Sequence, residues 1–298
     1  MKTRIGFGLG TQSSTNEPGR LSRLIDDLER TGFDSLWFAE RVSGATLDPV
    51  VAMTWAAARS EKLKFGPSVM VVPGRNPVLL AKALASLDRI SNGRLLPAFG
   101  LGAVNLAEHQ AFGVERKDRS AWFDEAIPLL RRLWTEDVVD HHGERFDLTG
   151  VRVEPKPVQK PLDIWLGGSA PSELRRTARL GDGWLPSFCT PADVAAGIAS
   201  INEQAAALGR EIEDEHFGAL IGYTTGPLPE PIVEAVERRN PGKDPREIVA
   251  DDPARLPAML EAFVDAGASK FVVMPFSEPD DWTAEVESLA EIVLPLQT

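Results

Sequence analysis

Short apolar runs alternate with segments of helical periodicity along the whole chain, and this alternation limits the folds that the chain can adopt. The apolar runs predict strands at 4–9, 35–39, 65–72, 95–101, 163–167, 183–187, 216–223 and 270–276. The intervening segments predict helices near 17–31, 48–60, 77–91, 120–136, 171–181, 191–209, 252–267 and 280–295. Strands that are apolar along their full length suit a parallel sheet whose two faces are both covered.

Eight strand-helix units are the number that closes a (β/α)8 TIM barrel, and we predict this α/β fold as a single domain over residues 1–298. A doubly wound open sheet is the structural alternative. It is disfavoured because no G-x-G-x-x-G follows the first predicted strand to begin a dinucleotide-binding half.

Two segments interrupt the alternation and are predicted to be insertions, after helix 4 and strand 7 of the barrel. Residues 137–162 contain Gly, several prolines and two short β-like runs, which predict a hairpin. Residues 224–251 are rich in proline, contain one charged helical segment and exceed the usual loop length. Because this second segment follows a strand end, it is either a partial lid over the active site or a solvated decoration.

Composition excludes several classes of function. The formal net charge of -12 argues against nucleic acid or an anionic membrane as a partner, since both require clustered cations. One cysteine, Cys189, excludes an internal disulfide, and four scattered histidines provide no metal-ligand spacing. The chain shows no signal-peptide pattern and no run of about 18 apolar residues, so we expect a cytoplasmic protein.

Barrel enzymes place function on the loops after the strands, so the strand ends contain the candidate site residues. Glu40 and Arg41 follow the second strand, and Gly102 lies in the loop after the fourth. No nucleophile elbow, Ser-His-Asp order or P-loop occurs in the sequence. A cofactor that supplies the reactivity would fit this limited set of side chains.

A possible phosphate site follows the fifth predicted strand. Gly167, Gly168 and Ser169 lead directly into a helix, whose N-terminus offers free backbone N–H groups and the positive end of a dipole. The alternative is a tight turn with Ser172 as the N-cap of the helix. Arg119, ahead of the fourth predicted helix, is a cation that could reach the same anion, or one member of an exposed charge cluster.

Several blocks of the sequence resemble the bacterial luciferase-like monooxygenase family, in the family's own order. They are "GFDSLWFAER" (32–41), "GPSVMVVPGRNPVLLAKALASLDRISNGRL" (66–95), "FGLGAVNLAEHQAFGV" (99–114), "FDEAIPLLRRLWTEDVVDHHGERFDL" (123–148) and "PLDIWLGGSAPSELRRTARLGDGWLPS" (161–187). The second and fifth strand blocks are most similar to the branch of oxidoreductases that use the deazaflavin coenzyme F420. Only 224–251 matches no landmark of the family.

The resemblance implies specific roles for cofactor-binding residues. It implies a non-prolyl cis peptide bond at Ser68–Val69, which supports the central ring of the cofactor. It also implies a phosphate-binding loop at residues 167–172, including Gly167, Gly168, Ser169 and Ser172, with Arg119 as the nearby cation. With this support, the phosphate loop is preferred over the tight turn. The family is commonly dimeric, which implies a homodimer.

The sequence departs from the family pattern at two catalytic positions. Arg41 stands where bacterial luciferase and some deazaflavin enzymes have a histidine, and arginine cannot act as a general base at neutral pH. Its candidate catalytic role, next to Glu40, is electrostatic; structural pairing with Glu40 or Asp48 is the alternative. Ala103 stands where a sugar-phosphate branch has a catalytic glutamate, with Glu108 and His109 only weak substitutes.

We therefore predict an oxidoreductase that transfers a hydride between coenzyme F420 and a small organic substrate. One alternative is an FMN-dependent monooxygenase of the same fold, which would consume O2. The other is a flavin- or deazaflavin-binding protein without turnover, since the catalytic histidine and glutamate are missing.

Overall fold

The structure is a computed structural model that describes residues 2–11 and 17–298. Its strands are β1 (Arg4–Gly8), β2 (Ser35–Phe38), β3 (Lys64–Pro67), β4 (Met70–Val71), β5 (Ala98–Gly100), β6 (Val139–His142), β7 (Asp147–Val151), β8 (Trp165–Leu166), β9 (Gly183–Trp184), β10 (Gly218–Tyr223), β11 (Val249–Ala250) and β12 (Lys270–Pro275). Its helices are α1 (Pro18–Thr31), α2 (Pro49–Arg59), α3 (Pro77–Ile90), α4 (Leu106–Phe112), α5 (Arg119–Thr135), α6 (Pro171–Leu180), α7 (Pro191–Ala207), α8 (Glu230–Arg239), α9 (Leu256–Asp265) and α10 (Trp282–Val293).

The parallel strands form a ring. One sheet has the order β11-β10-β12-β1-β2-β3 and the other the order β4-β5-β8-β9. Isolated parallel bridges join the two sheets on both sides, Phe65 with Leu95 and Trp184 with Phe217. With β3 and β4 counted as one interrupted strand, eight strands of the described chain follow one another around a (β/α)8 barrel, as predicted.

Helix starts follow the capping signals of the sequence. The Asp48 side chain accepts hydrogen bonds from the N–H groups of Val50 and Val51, and Thr190 accepts one from Asp193 N. Each cap precedes a proline at the first helical position, where the missing N–H costs nothing. The short helix α4 was not predicted, although the Asn105 side chain caps it.

Both interruptions of the barrel pattern form structure of their own. Strands β6 and β7 pair as an antiparallel hairpin ahead of β8. In the second segment, β11 adds to the sheet beside β10, and α8 lies between them in sequence. Val236, Ile248 and Val249 form an apolar cluster with Phe188 and neighbouring side chains. The second segment therefore packs onto the barrel through β11 and this cluster.

No helix within the described ranges is both long enough and apolar enough to span a bilayer.

Candidate active site at the carboxyl ends of the strands

A cleft of about 930 Å³ lies where the strands end and the loops begin. It is the face on which (β/α)8 barrels hold their active sites. The cleft is lined by many of the residues that the sequence analysis selected, namely Glu40, Arg41, Ser68, Val69, Gly102, Gly167 and Gly168. Ser169 belongs to the same loop and Ser172 to the first turn of α6, and neither is among the residues that line the cleft.

The floor of the cleft contains the interruption between β3 and β4. The peptide bond between Ser68 and Val69 is cis, as the resemblance implies. The Val69 side chain lies between two strand-end glycines: a Cβ added to Gly100 would approach it to 2.5 Å, and one added to Gly167 to 3.2 Å. A side chain at either glycine would crowd Val69. Because both positions are glycine, the Val69 side chain forms a flat, apolar part of the cleft floor.

The Glu40 carboxylate is held in place by a guanidinium group and a backbone N–H group. It accepts a hydrogen bond of 2.6 Å from Val71 N and pairs with the Arg75 guanidinium. Burial raises the pKa of Glu40, and the Arg75 charge and these hydrogen bonds oppose that rise. The ion pair expected as an alternative, Arg41 with Glu40 or Asp48, does not occur among the described residues. Glu40 therefore has a fixed partner in Arg75, whereas Arg41 forms no ion pair with any residue that the structure describes.

Glu108 organises the loop that carries Arg41. Its buried carboxylate accepts hydrogen bonds from Val42 N (3.3 Å), Ser43 N (3.0 Å) and the Ser43 hydroxyl (2.5 Å). Burial alone would raise the pKa of Glu108, but these bonds and the charge of Arg41 together lower it below the usual value. Glu108 lines the cleft as well. The sequence suggested it only as a weak catalytic substitute, whereas in the structure its carboxylate positions the loop that follows Arg41.

The Glu173 carboxylate of the protein itself occupies the loop after β8. The helix α6 has Ala170, not Ser172, as its N-cap, so the tight-turn alternative with Ser172 was wrong. Ala170 N donates a 2.9 Å hydrogen bond to the Glu173 carboxylate. That carboxylate covers Gly168, whose φ is +93° and whose added Cβ would lie 2.4 Å from Glu173 Cδ. Glu173 reaches back because a glutamate three residues into a helix can satisfy the N-cap N–H.

Arg119 lies directly behind the loop that follows β5. It is only 4% exposed, and its Nη1 donates to Ala103 O at 3.0 Å. Its Nε and Nη2 have no hydrogen-bond partner among the described residues. A Cβ added to Gly102, which lines the cleft, would lie 2.4 Å from Nη2, so the guanidinium lies directly against this glycine. Burial lowers the pKa of Arg119, and the Glu108 charge opposes that change.

The second insertion contributes residues that the sequence analysis did not select. Arg238 and Arg239, at the end of α8, line the cleft together with Arg41. Asn240 Nδ2 donates to Phe188 O at 2.8 Å and so ties the end of α8 to the loop after β9. The sequence offered one signal, a pair of adjacent arginines ending the charged helix of this segment.

The cleft can be tested for its fit to a flavin or deazaflavin phosphate. A low apolar floor at Val69 suits a planar ring system. The unpartnered guanidinium atoms of Arg119 behind Gly102 suit an anionic group. The Glu173 carboxylate at Gly168 repels an anion in that loop. An anionic group can bind there only if Glu173 moves away, or if the group carries a low charge. The residues fit such a cofactor, with Glu173 as the exception.

Within residues 2–11 and 17–298, no group of three or more His, Cys, Asp or Glu side chains is placed to hold a metal ion. His141 contacts Glu125 at 2.9 Å and His142 contacts Asp147 at 2.5 Å, both in or beside the β6–β7 hairpin.

Comparison with known proteins gives consistent results. The family profile described as luciferase-like monooxygenase matches residues 1–272. An F420-dependent glucose-6-phosphate dehydrogenase of Kineococcus radiotolerans is 26% identical over 305 aligned residues, which cover 89% of this chain and 90% of the relative.

Solved structures share the fold at lower identity. An F420-dependent secondary alcohol dehydrogenase in complex with an F420–acetone adduct superposes with a TM-score of 0.81, at 21% identity, over 100% of both chains. The monooxygenase RslO1 of Streptomyces bottropensis superposes with a TM-score of 0.80, at 22% identity, over 98% of this chain and 99% of that one. Because a deazaflavin enzyme and a monooxygenase fit equally well, the fold alone does not choose between them.

Proposed function

The chain belongs to the luciferase-like monooxygenase family, and we propose that it is an oxidoreductase that uses coenzyme F420. The curated relatives named F420-dependent glucose-6-phosphate dehydrogenase support this cofactor over FMN. When bound, the deazaflavin would exchange a hydride at C5 with a carbon atom of a small organic substrate.

One observation carries the proposal: the cleft offers a platform and few free acid-base groups. The lining carboxylates of Glu40, Glu108 and Glu173 all accept hydrogen bonds from the protein itself. Such a site can position a cofactor and substrate but has little chemistry of its own, which is the pattern expected when the cofactor reacts directly with the substrate.

In this proposal, Ser68 and Val69 support the ring system, and Gly102 allows the anionic part of the cofactor to approach Arg119. Gly167, Gly168, Ser169 and Ser172 would form the loop on the phosphate side. For the loop, the support is the family resemblance together with the N-terminus of α6, although Glu173 must release the Ala170 N–H before a phosphate can bind there.

Arg41 would act electrostatically, because a guanidinium stays protonated and can stabilise negative charge on the reduced cofactor or the substrate. The hydrogen bonds of Glu108 support this role, since they fix the backbone of Val42 and Ser43, directly after Arg41. Glu40 would act through Arg75 and Val71 as a positioning residue rather than as an acid or base.

We further propose a homodimer in the cytoplasm. Three exposed apolar side chains on two helices that contact each other, Val51 and Trp55 of α2 and Leu79 of α3, support an association surface. Sedimentation of the purified protein at two concentrations tests the oligomeric state.

Turnover with each cofactor tests the proposed function. The protein is incubated with F420 and either glucose 6-phosphate or a secondary alcohol, and deazaflavin absorbance is followed. In parallel, the protein with FMN and an electron donor is placed in an oxygen electrode. Deazaflavin reduction without O2 uptake is the expected result. O2 uptake with FMN alone would replace the proposal with a monooxygenase, and no reaction in either arm would favour a binding protein without turnover.

A further inference from the structure

The arginines of the cleft differ from its carboxylates in one respect. Every lining carboxylate has a donor, whereas Arg41, Arg238 and Arg239 have no carboxylate partner within salt-bridge distance in the described part of the chain. The chain as a whole has a formal net charge of -12, so most of its surface repels anions. Three guanidinium groups that form no ion pair with any described residue therefore lie at one cleft of an acidic protein.

These arginines are held in place by their surroundings. The Arg239 guanidinium lies 4.2 Å from the centroid of the Phe188 ring, and Phe188 stacks on Phe276 with centroids 5.8 Å apart. Lys243, just after α8, pairs with Asp193 of α7 at 2.5 Å. The insertion is thus fixed to the barrel at both α7 and the loop after β9, and α8 presents its last turn to the cleft.

The like charges also lie close enough to affect one another. Burial lowers the pKa of Arg239, the positive charges of Arg238 and Arg41 lower it further, and the negative charge of Glu173 opposes this change. Repulsion of this kind is relieved when an anion binds among the three groups. A guanidinium that stacks on an aromatic ring keeps its N–H donors free for such an anion.

We propose that Arg238 and Arg239, with Arg41, form a subsite that selects a substrate bearing a carboxylate or phosphate group. This inference rests on the proposed function, because it assigns the substrate of the same cleft. The insertion at 224–251 then has a defined purpose: it brings α8 over the barrel so that the anionic end of the substrate is bound while the rest faces the cofactor platform.

Inorganic phosphate is the probe for this subsite. It is titrated calorimetrically, at constant ionic strength, into the F420-loaded protein, so that the cofactor's own phosphate site is filled. The variants are Arg238→Gln/Arg239→Gln and the control Arg246→Gln, which removes an arginine of the same insertion that pairs with Asp251 at 3.0 Å. Arg246 does not line the cleft. Matching circular dichroism and unfolding temperatures verify that the variants are folded.

Phosphate should bind the wild type and the control alike and bind the double variant at least tenfold more weakly, with F420 affinity unchanged in all three. Equal phosphate affinity in wild type and double variant, or no phosphate binding to the wild type, would overturn the subsite. Loss of F420 affinity in the double variant would mean that the arginines hold the cofactor, which overturns the substrate assignment. If the wild type does not bind F420, the proposed function fails instead, and the same titration of the unloaded protein still tests the arginines.

Discussion

Replacing Arg119 by methionine should stabilise the unloaded protein while it weakens cofactor binding. Arg119 is buried. Two of its three guanidinium nitrogens, Nε and Nη2, have no hydrogen-bond partner within the described residues. Methionine removes one hydrogen bond, from Nη1 to Ala103 O at 3.0 Å, and also removes the cost of burying an uncompensated charge. Replacing a buried charge by a well-packed apolar side chain is often stabilising, and we expect a gain of about 2 kcal/mol in the free energy of unfolding.

The cofactor should lose affinity by the energy of the contact that the unpaired nitrogens would supply. A hydrogen bond to a charged group contributes about 1.5–3 kcal/mol, which corresponds to roughly 10- to 100-fold in the dissociation constant. Thermal unfolding of the unloaded protein and fluorescence titration with F420 measure the two effects on the same samples.

Arg131→Met is the matched control, because Arg131 lies on the same helix α5 but pairs with Asp182 at 2.5 Å and donates to Leu180 O at 2.8 Å. It should lower the free energy of unfolding by about 1–2 kcal/mol without changing F420 affinity. The reasoning is refuted if Arg119→Met lowers the unfolding temperature and leaves F420 affinity unchanged, since Arg119 would then be a structural residue.

Three further predictions test the carboxylates of the cleft. Glu173→Gln should increase the affinity for FMN several-fold more than the affinity for F420 in parallel titrations at pH 7. The reason is that the FMN phosphate carries nearly two negative charges and the F420 phosphodiester carries one. Equal gains in affinity would contradict the placement of the phosphate in this loop. Glu108 has a lowered pKa in the folded protein, so its contribution to stability is present above about pH 4.3 and is lost as pH falls through the lowered value. Glu108→Gln should therefore flatten the acid loss of unfolding free energy measured by urea titration, and an unchanged pH profile would count against it. Arg75→Met should cost about 3 kcal/mol in urea unfolding by leaving Glu40 buried and unpaired, and adding Glu40→Gln should recover part of that loss; no recovery would show that Arg75 acts by packing alone.

The barrel was predictable because its signals are local and repeated. Apolar runs of strand length, and caps such as Asp48 and Thr190 before prolines, each depend on a few neighbouring residues. The strand positions around the ring then follow from the (β/α)8 architecture. The helix α4 was missed because it is only seven residues long and its apolar residues do not face the core.

The interactions of the site were harder to predict because they join distant parts of the chain. Pairing of Glu40 with its sequence neighbour Arg41 was one alternative, yet Glu40 pairs with Arg75, 35 positions away. Arg238 and Arg239 reach the cleft only because the insertion packs back on the barrel through β11 and its apolar cluster. No periodicity in the sequence reports that packing, so the two arginines could not be assigned to the cleft before the fold was known.

Binding of the two candidate cofactors tests the central claim most directly. The purified protein and a Gly167→Val variant are titrated with F420 and with FMN, followed by fluorescence. Valine at position 167 places side-chain atoms against Val69, which a Cβ alone would approach to 3.2 Å, and so raises the floor under the ring. We predict that the wild type binds F420 in preference to FMN and that the variant loses this binding while it stays folded. Preferential binding of FMN, or F420 binding that the variant leaves unchanged, would contradict the account.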